Sequence, residues 1–215
     1  ESRGLGDVYK RQAVQQNDSR HIRTLAELNA VTYGDNMIAD LNAGINITDT
    51  LEQLLISTDG RIDKFDIIAD RMMADYVRSI QVAPGGIVTD IYPAEGNEAG
   101  KIDLIHDKYR GETVNYSIAN DVLIIHGPFE LEQGGHVLSI RNPVFLQDEK
   151  GTPYFWGMTM VIIKVPDIFQ HSADALTNFG YQYRLSKTIS PLTDEYTVVD
   201  QSEETLMDPV SYDFT

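Results

Sequence analysis

The sequence predicts an α+β protein in which a long N-terminal helix is followed by an antiparallel sheet. Apolar residues recur at helical spacing in the first part of the chain, and the period changes to extended runs after residue 86. Short turns join most of the later runs, which makes neighbouring strands antiparallel. Helices that cover one face of such a sheet complete an α+β layer.

The first helical segment runs from Arg20 to Leu55 and carries a narrow apolar stripe on an otherwise polar helix. The stripe consists of Ile22, Leu25, Leu28, Val31, Ile38, Leu41, Ile45, Leu51, Leu54 and Leu55. Propensity alone does not stabilise such a helix, so the stripe must pack against something. We interpret the segment as a stalk helix that rises from a membrane and dimerises. The alternative is two ordinary helices broken near Gly34 or Gly44, since each glycine costs about 1 kcal/mol relative to alanine.

The residues from Ser57 to Gly60 are typical of a turn, and a second helix is predicted after them, from Ile62 to Ile80. A broad apolar face at spacings of three and four residues assigns this helix to the core. The period becomes extended after the Pro84-Gly85-Gly86 turn, and a strand is predicted from Ile87 to Tyr92, ended by Pro93.

The remaining elements alternate between helix and strand. A short helix is predicted from Asp107 to Asn120, and three strands follow, at Val122–Ile125, His136–Arg141 and Tyr154–Val165. Pro166 opens a further helix, Asp167–Phe179, which Gly180 ends in a left-handed cap. The last two predicted strands are Tyr181–Leu185 and Glu195–Val199.

The two ends of the chain are expected to be incomplete. Residues 1–12 look like a translated sequencing-adapter tail, and they lack the apolar segment of a signal peptide. We exclude them from fold reasoning and expect the native chain to extend upstream of Ala13. The acidic tail from Ser202 to Thr215 reaches no closing strand, so we expect truncation there too.

A dense series of motifs occupies residues 83–166. It comprises Ala83-Pro84-Gly85-Gly86, Tyr92-Pro93-Ala94-Glu95-Gly96-Asn97-Glu98, Gly127-Pro128-Phe129-Glu130-Leu131-Glu132-Gln133-Gly134-Gly135, Arg141-Asn142-Pro143-Val144-Phe145, Phe155-Trp156-Gly157 and the apolar run Met158 to Val165. In order and spacing these motifs resemble the CHASE family of extracytoplasmic sensor domains in membrane receptors. The resemblance covers roughly Asn36 to Tyr196.

The resemblance implies PAS-like sheet domains behind a stalk. Residues 13–82 would hold the stalk helix and the second helix, residues 83–165 a membrane-distal PAS-like ligand-binding subdomain, and residues 166–215 a truncated membrane-proximal PAS-like subdomain. Such a domain would lie on the periplasmic or extracellular face, anchored by a transmembrane helix upstream of Ala13. Its expected partners are a small-molecule ligand and a second copy of the chain, which would bind through the stalk helix. The enzyme, a diguanylate cyclase or a sensor histidine kinase, would lie outside this fragment.

A ligand pocket is expected under the strands near Glu98, Ile125 and Arg141. Arg141 carries a planar fork of five donors suited to a carboxylate, and it is our first choice to hold an acidic group of the ligand. Glu98 either accepts hydrogen bonds from the ligand or forms an internal ion pair with Arg141, and both alternatives stay open. Phe129 and Trp156 would supply apolar wall, which small-ligand sites mostly consist of.

Composition and motif content exclude several function classes. A net charge of −16 argues against nucleic acid, which needs a clustered basic face. The absence of cysteine removes disulfides, thiolate metal sites and thiol catalysis. No nucleophile elbow, phosphate-binding loop or paired-histidine zinc motif is present. The five histidines are scattered over separate elements, so we expect neither a metal nor a cofactor.

Two alternatives to a ligand sensor stay open. A ligand-free structural module that dimerises the receptor would have the same helices, but side chains would fill its cavity. A hydrolase would need two facing carboxylates, buried in a cleft, that act as acid and base. The candidate carboxylates for that chemistry are Glu95, Glu98, Asp103, Glu130 and Glu132.

Overall fold

The computed structural model describes residues 2–94, 100, 102–131 and 135–213, with side chains from residue 19 onward. The predicted fold class is confirmed: a long N-terminal helix, α1 (Ser2–Ser57), precedes a PAS-like antiparallel sheet in an α+β arrangement. The other helices are α2 (Phe65–Met72), α3 (Gly111–Asn120) and α4 (Gln170–Asn178), with a 3₁₀ turn at Asp167–Phe169. The strands are β1 (Val77–Pro84), β2 (Asp90–Tyr92), β3 (Ile124–Glu130), β4 (His136–Gln147), β5 (Pro153–Val165), β6 (Arg184–Thr188) and β7 (Tyr196–Gln201).

Five strands form the main sheet, in the order β2-β1-β5-β4-β3, with every neighbouring pair antiparallel. Because side chains alternate between the two faces of a strand, the sheet contributes to two separate apolar clusters, one on each face. One face, with Ile80, Ile140 and Val161, packs against α1. The other face, with Met158 and Met160, packs against the segment around Leu104 and α3.

Helix α1 runs without a break through Gly34 and Gly44, so the alternative of two separate helices is wrong. Gly44 is a point of close approach between α1 and the sheet, since an added Cβ would lie 3.0 Å from Cδ1 of Ile140. Tertiary contact with the sheet thus compensates for the poor helix propensity of glycine. The helix ends in a left-handed turn in which the Gly60 N–H donates to the Leu55 carbonyl at 2.8 Å.

The second predicted helix is wrong at its C-terminal end. Helix α2 stops at Met72, and the chain enters strand β1 at Val77, where a helix to Ile80 was expected. Strand β1 lies inside the sheet, where it pairs with β2 on one side and with β5 on the other. This pairing stabilises the extended conformation, but a local sequence pattern does not reveal it. The predicted domain boundary between residues 82 and 83 therefore falls inside a strand.

Several other boundaries shift by a few residues. Helix α3 begins at Gly111, because the Asp107 carboxylate caps a preceding turn by accepting hydrogen bonds from the N–H groups of Tyr109 and Arg110. Strands β3 and β4 extend beyond their predicted ends, to Glu130 and Gln147. Strand β2 begins only at Asp90; Ile87, the predicted start, instead forms an isolated bridge with Asp103.

The C-terminal part packs onto the same core as α1 and the main sheet. A 3₁₀ turn and α4 replace the single predicted helix, and β6 and β7 form a separate two-stranded sheet. The buried side chains that join this part to the α1 cluster are Ile168, Phe169, Leu176 and Val199. Among the described helices, none combines the length and the apolar character that a bilayer crossing requires.

Candidate functional site

A pocket of about 360 Å³ lies on the sheet face that is turned away from α1. Its floor is formed by side chains of β1, β5 and β4, and its walls come from the segment before α3 and from the end of β3. The wall residues include Ile102, Leu104, Arg110, Phe129 and Leu131. The volume lies at the lower end of the range for small-ligand sites.

The strand register arranges the floor in two rows. Gln81 on β1 pairs with Met160 on β5, which pairs with Arg141 on β4. In the next row, Ser79, Ile162 and Ser139 occupy the same three strands. Polar side chains therefore stand on β1 and β4, and apolar side chains stand between them on β5.

Arg141 is a buried cation in this floor. Its side chain is 3% exposed, and Nη1 donates a hydrogen bond to Nδ1 of His126 at 3.0 Å. Within the described part of the chain, its Nε has no hydrogen-bond partner and its guanidinium forms no ion pair. Burial and, to a lesser degree, the nearby Arg110 lower the pKa of Arg141 to about 10, so the group is charged at neutral pH.

His126 holds the guanidinium without neutralising it. Burial and the neighbouring Arg141 charge lower the pKa of His126 to about 4, so the ring is neutral at pH 7 and its Nδ1 can accept. The ring also stacks edge-on against Phe129, with 4.8 Å between the ring centroids. Among the described residues, the guanidinium at the pocket floor is thus held by a neutral hydrogen bond, and the nearby Asp107 carboxylate acts on it through its charge without forming an ion pair.

Three neutral polar groups complete the floor. Ser139 is 2% exposed, and its Oγ has no hydrogen-bond partner among the described residues. On β1, Gln81 Nε2 donates to Ser79 Oγ at 2.9 Å, and both side chains are buried. A buried polar group without a partner costs about 1–3 kcal/mol, so a ligand that supplied one to Ser139 or Arg141 would gain affinity.

Two more arginines line the pocket, Arg78 and Arg110. Arg110 lies 3.9 Å from the Asp107 carboxylate and stacks over the Phe129 ring, 5.8 Å from its centroid. In a protein of net charge −16, the described lining residues include three arginines and one carboxylate, Glu130, and this excess of positive charge favours anions.

The structure brings only some of the predicted site residues together. Arg141 and Phe129 line the pocket, whereas Ile125 pairs with Ile140 and packs in the core beside α1. Trp156 also packs in that core, beside Gly60, so it forms no wall of this pocket. Glu98 lies outside the described residues, and its contact with Arg141 stays a prediction.

Sequence reasoning missed four neutral polar residues of the site, in addition to Arg78 and Arg110. Ser139 stands two residues before Arg141 in a predicted strand, so the strand period alone would have placed it on the same face. Ser79 was missed because it was assigned to a helix ending at Ile80, and Gln81 was missed because it was assigned to no element. His126 carried no signal, because its contact with Arg141 depends on the β3–β4 register.

Among the described residues, the pocket shows no pair of facing carboxylates such as a hydrolase would need. Asp103 accepts hydrogen bonds from the N–H groups of Ile105 and His106 and fixes a turn. Of the described carboxylates, Glu130 alone lines the pocket, and Glu95, Glu98 and Glu132 lie outside the described residues. Within the ranges that the structure covers, no three potential metal ligands cluster.

A solved structure with a similar fold is an extracellular ligand binding receptor from Desulfohalobium retbaense. The similarity has a TM-score of 0.53 at 15% sequence identity, and it covers 69% of this chain and 26% of that one. This chain therefore matches about a quarter of the receptor chain, and at this identity the likeness shows the fold alone. A scan against models of protein families found no match, and neither did a search of curated proteins.

Proposed function

We propose that this chain is a CHASE-type ligand-sensing domain on the extracytoplasmic side of a membrane receptor, and that its pocket binds a small anionic molecule. The observation that carries the proposal is Arg141: a charged guanidinium, 3% exposed, in a pocket floor, with its Nε unpaired among the described residues.

A ligand carboxylate fits this position for energetic reasons. Removing a guanidinium from water is costly, and within the described residues the compensation is one neutral hydrogen bond from Arg141 to His126 and the charge of the nearby Asp107. A carboxylate would add the opposite charge and could accept from Nε and a terminal nitrogen together. Ser139 would donate a further hydrogen bond from the same strand.

The sensor role has two independent supports. The similar solved structure is an extracellular ligand binding receptor, which supports ligand binding outside the cytoplasm. The motif series between residues 83 and 166 resembles CHASE domains, which supports a membrane anchor and a cytoplasmic output such as a diguanylate cyclase or a sensor histidine kinase. The enzymatic activity then belongs to the parent receptor rather than to this domain.

Signal transmission would pass from the pocket to α1 through β4 and β5. On the face opposite the pocket, Asn142 Nδ2 donates to Glu52 Oε2 at 2.8 Å, and Thr159 Oγ1 donates to the Thr48 carbonyl at 3.1 Å. Asn142 and Thr159 are register partners, and the preceding pair, Arg141 and Met160, lines the pocket. A ligand that binds two arrangements of these strands unequally would shift the position of α1.

A second copy of the chain is the proposed partner of α1. Near the N-terminal end of the described side chains, apolar residues of the predicted stripe are exposed, namely Ile22, Leu25, Leu28 and Val31. Farther along the helix, stripe residues such as Leu51 and Leu55 are buried against the sheet. Dimerisation of the two helices would cover the exposed part of the stripe and join two sensors into one receptor.

Thermal denaturation of the chain against a library of carboxylates, amino acids, purines and inorganic phosphate tests the proposal. A bound anion raises Tm as its concentration exceeds Kd. The variant Arg141→Met keeps a side chain of similar length without the charge, and Arg71→Met is the control, because Arg71 is exposed outside the pocket. We expect Arg141→Met to abolish the shift and Arg71→Met to retain it.

Three outcomes distinguish the alternatives. A Tm that no compound changes would favour the ligand-free structural module. A compound that stabilises wild type and Arg141→Met equally would place binding elsewhere. A compound that stabilises the protein but disappears from solution, followed by NMR, would favour the hydrolase.

A further inference from the structure

We infer that the ligand is a short linear carboxylate whose far end carries a second hydrogen-bonding group. This inference rests on the proposed function, because it takes Arg141 as the anchor of the carboxylate. It adds that Ser79 and Gln81 on β1 form hydrogen bonds with the other end of the molecule.

The chemistry of the pocket floor changes from strand to strand. Arg141 and Ser139 on β4 offer a cation and a hydroxyl. Met160 and Ile162 on β5 offer only apolar surface, which would leave a polar group in the middle of a ligand without a partner. A molecule that is apolar in its middle and polar at both ends matches this order.

The strand spacing limits the length of the ligand. One strand, β5, separates β1 from β4. Two interstrand steps amount to roughly 9.6 Å between the outer backbones, which suits a chain of about four to six carbons once hydrogen bonds at both ends are included. The pocket volume of about 360 Å³ is consistent with a molecule of that size.

The β1 end recognises hydrogen-bonding groups in general. Ser79 Oγ accepts from Gln81 Nε2, so the hydroxyl proton of Ser79 stays available for donation. Gln81 keeps a second N–H and its amide oxygen, and the guanidinium of Arg78 also lines the pocket. Donors and acceptors are thus both present, and a hydroxyl, an amide or a second carboxylate would find partners there.

Isothermal titration with three five-carbon acids tests the inference directly. Pentanoate, 5-hydroxypentanoate and glutarate share a carboxylate and differ only at the far end. We expect the two acids with polar ends to bind about tenfold more tightly than pentanoate, the effect of a good hydrogen bond. In Ser79→Ala/Gln81→Leu this difference should vanish while pentanoate still binds, which also shows that the variant folds.

If the double variant fails to fold, the single variant Ser79→Ala replaces it in the test. We expect Ser79→Ala to reduce the difference in affinity between pentanoate and the two acids with polar ends. Equal affinity for all three acids, or a difference that survives the substitutions, would overturn the inference. If none of the acids binds while another anion binds in an Arg141-dependent manner, the inference fails and the proposed function stands. If no anion depends on Arg141, both fail together.

Discussion

Arg141 and Asn142 are consecutive on β4 and point to opposite faces of the sheet. Arg141 lines the pocket, and Asn142 donates to Glu52 on α1 at 2.8 Å and more weakly to Asp49 at 3.4 Å. Burial, despite the hydrogen bond from Asn142, raises the pKa of Glu52 above its ordinary value. One residue step along β4 therefore connects the candidate ligand site to the long helix.

Replacement of Asn142 by Leu should weaken this connection without changing the pocket. The substitution keeps the number and branching of the side-chain heavy atoms but leaves the partly buried Glu52 carboxylate without its donor, so we expect a loss of about 1–2 kcal/mol in the free energy of unfolding. The affinity for an anion that depends on Arg141 should change less than twofold. Urea denaturation measures the first quantity and titration calorimetry the second.

Gln147→Leu is the matched control for Asn142→Leu, because Gln147 is an exposed residue at the end of the same strand. It should leave stability unchanged within ~0.5 kcal/mol. Hydrogen exchange of residues 48–55 extends the comparison: ligand should change their protection in wild type and in Gln147→Leu, but less in Asn142→Leu. Equal changes in all three proteins would remove Asn142 from the signalling route.

The lowered pKa of His126 predicts that the stability of the fold depends on pH. Its pKa is about 4 in the folded protein, below the ordinary value of 6.5, because of burial and the Arg141 charge. The unfolded chain therefore binds a proton first as the pH falls, and stability is lost between pH 6.5 and pH 4. Because the ring is only half-buried, we expect His126 to account for about 1–2 kcal/mol of that loss.

His126→Asn isolates this contribution, since an amide oxygen can accept from Arg141 and does not titrate. The difference in unfolding free energy between wild type and variant, measured in urea at several pH values, should shrink or reverse in favour of the variant from pH 6.5 to pH 4. A constant difference over that range would show that protonation of His126 is not linked to folding.

Sequence periodicity predicted the elements that have long, regular apolar patterns. Helix α1 and strand β5 have patterns that are strong over many residues; the end of α1 and both ends of β5 were predicted within two residues, whereas α1 begins at Ser2, well before the predicted Arg20. Strand β1 failed for the opposite reason: Tyr76 and Ile80 continue a helical spacing, and only pairing with β2 and β5 favours the extended conformation. Nonlocal hydrogen bonding of this kind leaves no local signal.

Of the candidate site, the sequence could predict only those residues whose type alone determines what they can bind. Arg141 was predicted to bind an anionic group from its residue type alone, and the structure places it in the pocket floor. The orientation of Ile125 depended on the register of β3 against β4, where a shift of one residue exchanges the two faces. Trp156 was misplaced because its neighbour Gly60 is distant in sequence.

That contact between Gly60 and Trp156 yields a stability prediction. Gly60 has φ of 78°, and a Cβ at this position would collide with the Trp156 indole. Gly60→Ala should therefore cost more than about 2 kcal/mol, from left-handed strain and the clash together. Gly151→Ala is the control: Gly151 has the same φ of 78° but open space around its Cβ position, so only the strain of about 1 kcal/mol applies. Equal losses in urea denaturation would mean that the indole moves aside at no cost.

Charge placed on the exposed part of α1 tests the proposed dimer. Leu25 and Leu28 are 41% and 61% exposed, so Leu25→Glu/Leu28→Glu should leave the fold intact, as circular dichroism would show. Burial of four carboxylates between two helices is costly, and we expect the variant to sediment as a monomer at concentrations where wild type is dimeric. Asn36→Glu adds charge at an exposed polar position of the same helix and should keep the dimer. A monomeric wild type in analytical ultracentrifugation, or a dimer that survives both substitutions, would show that α1 does not pair through this stripe.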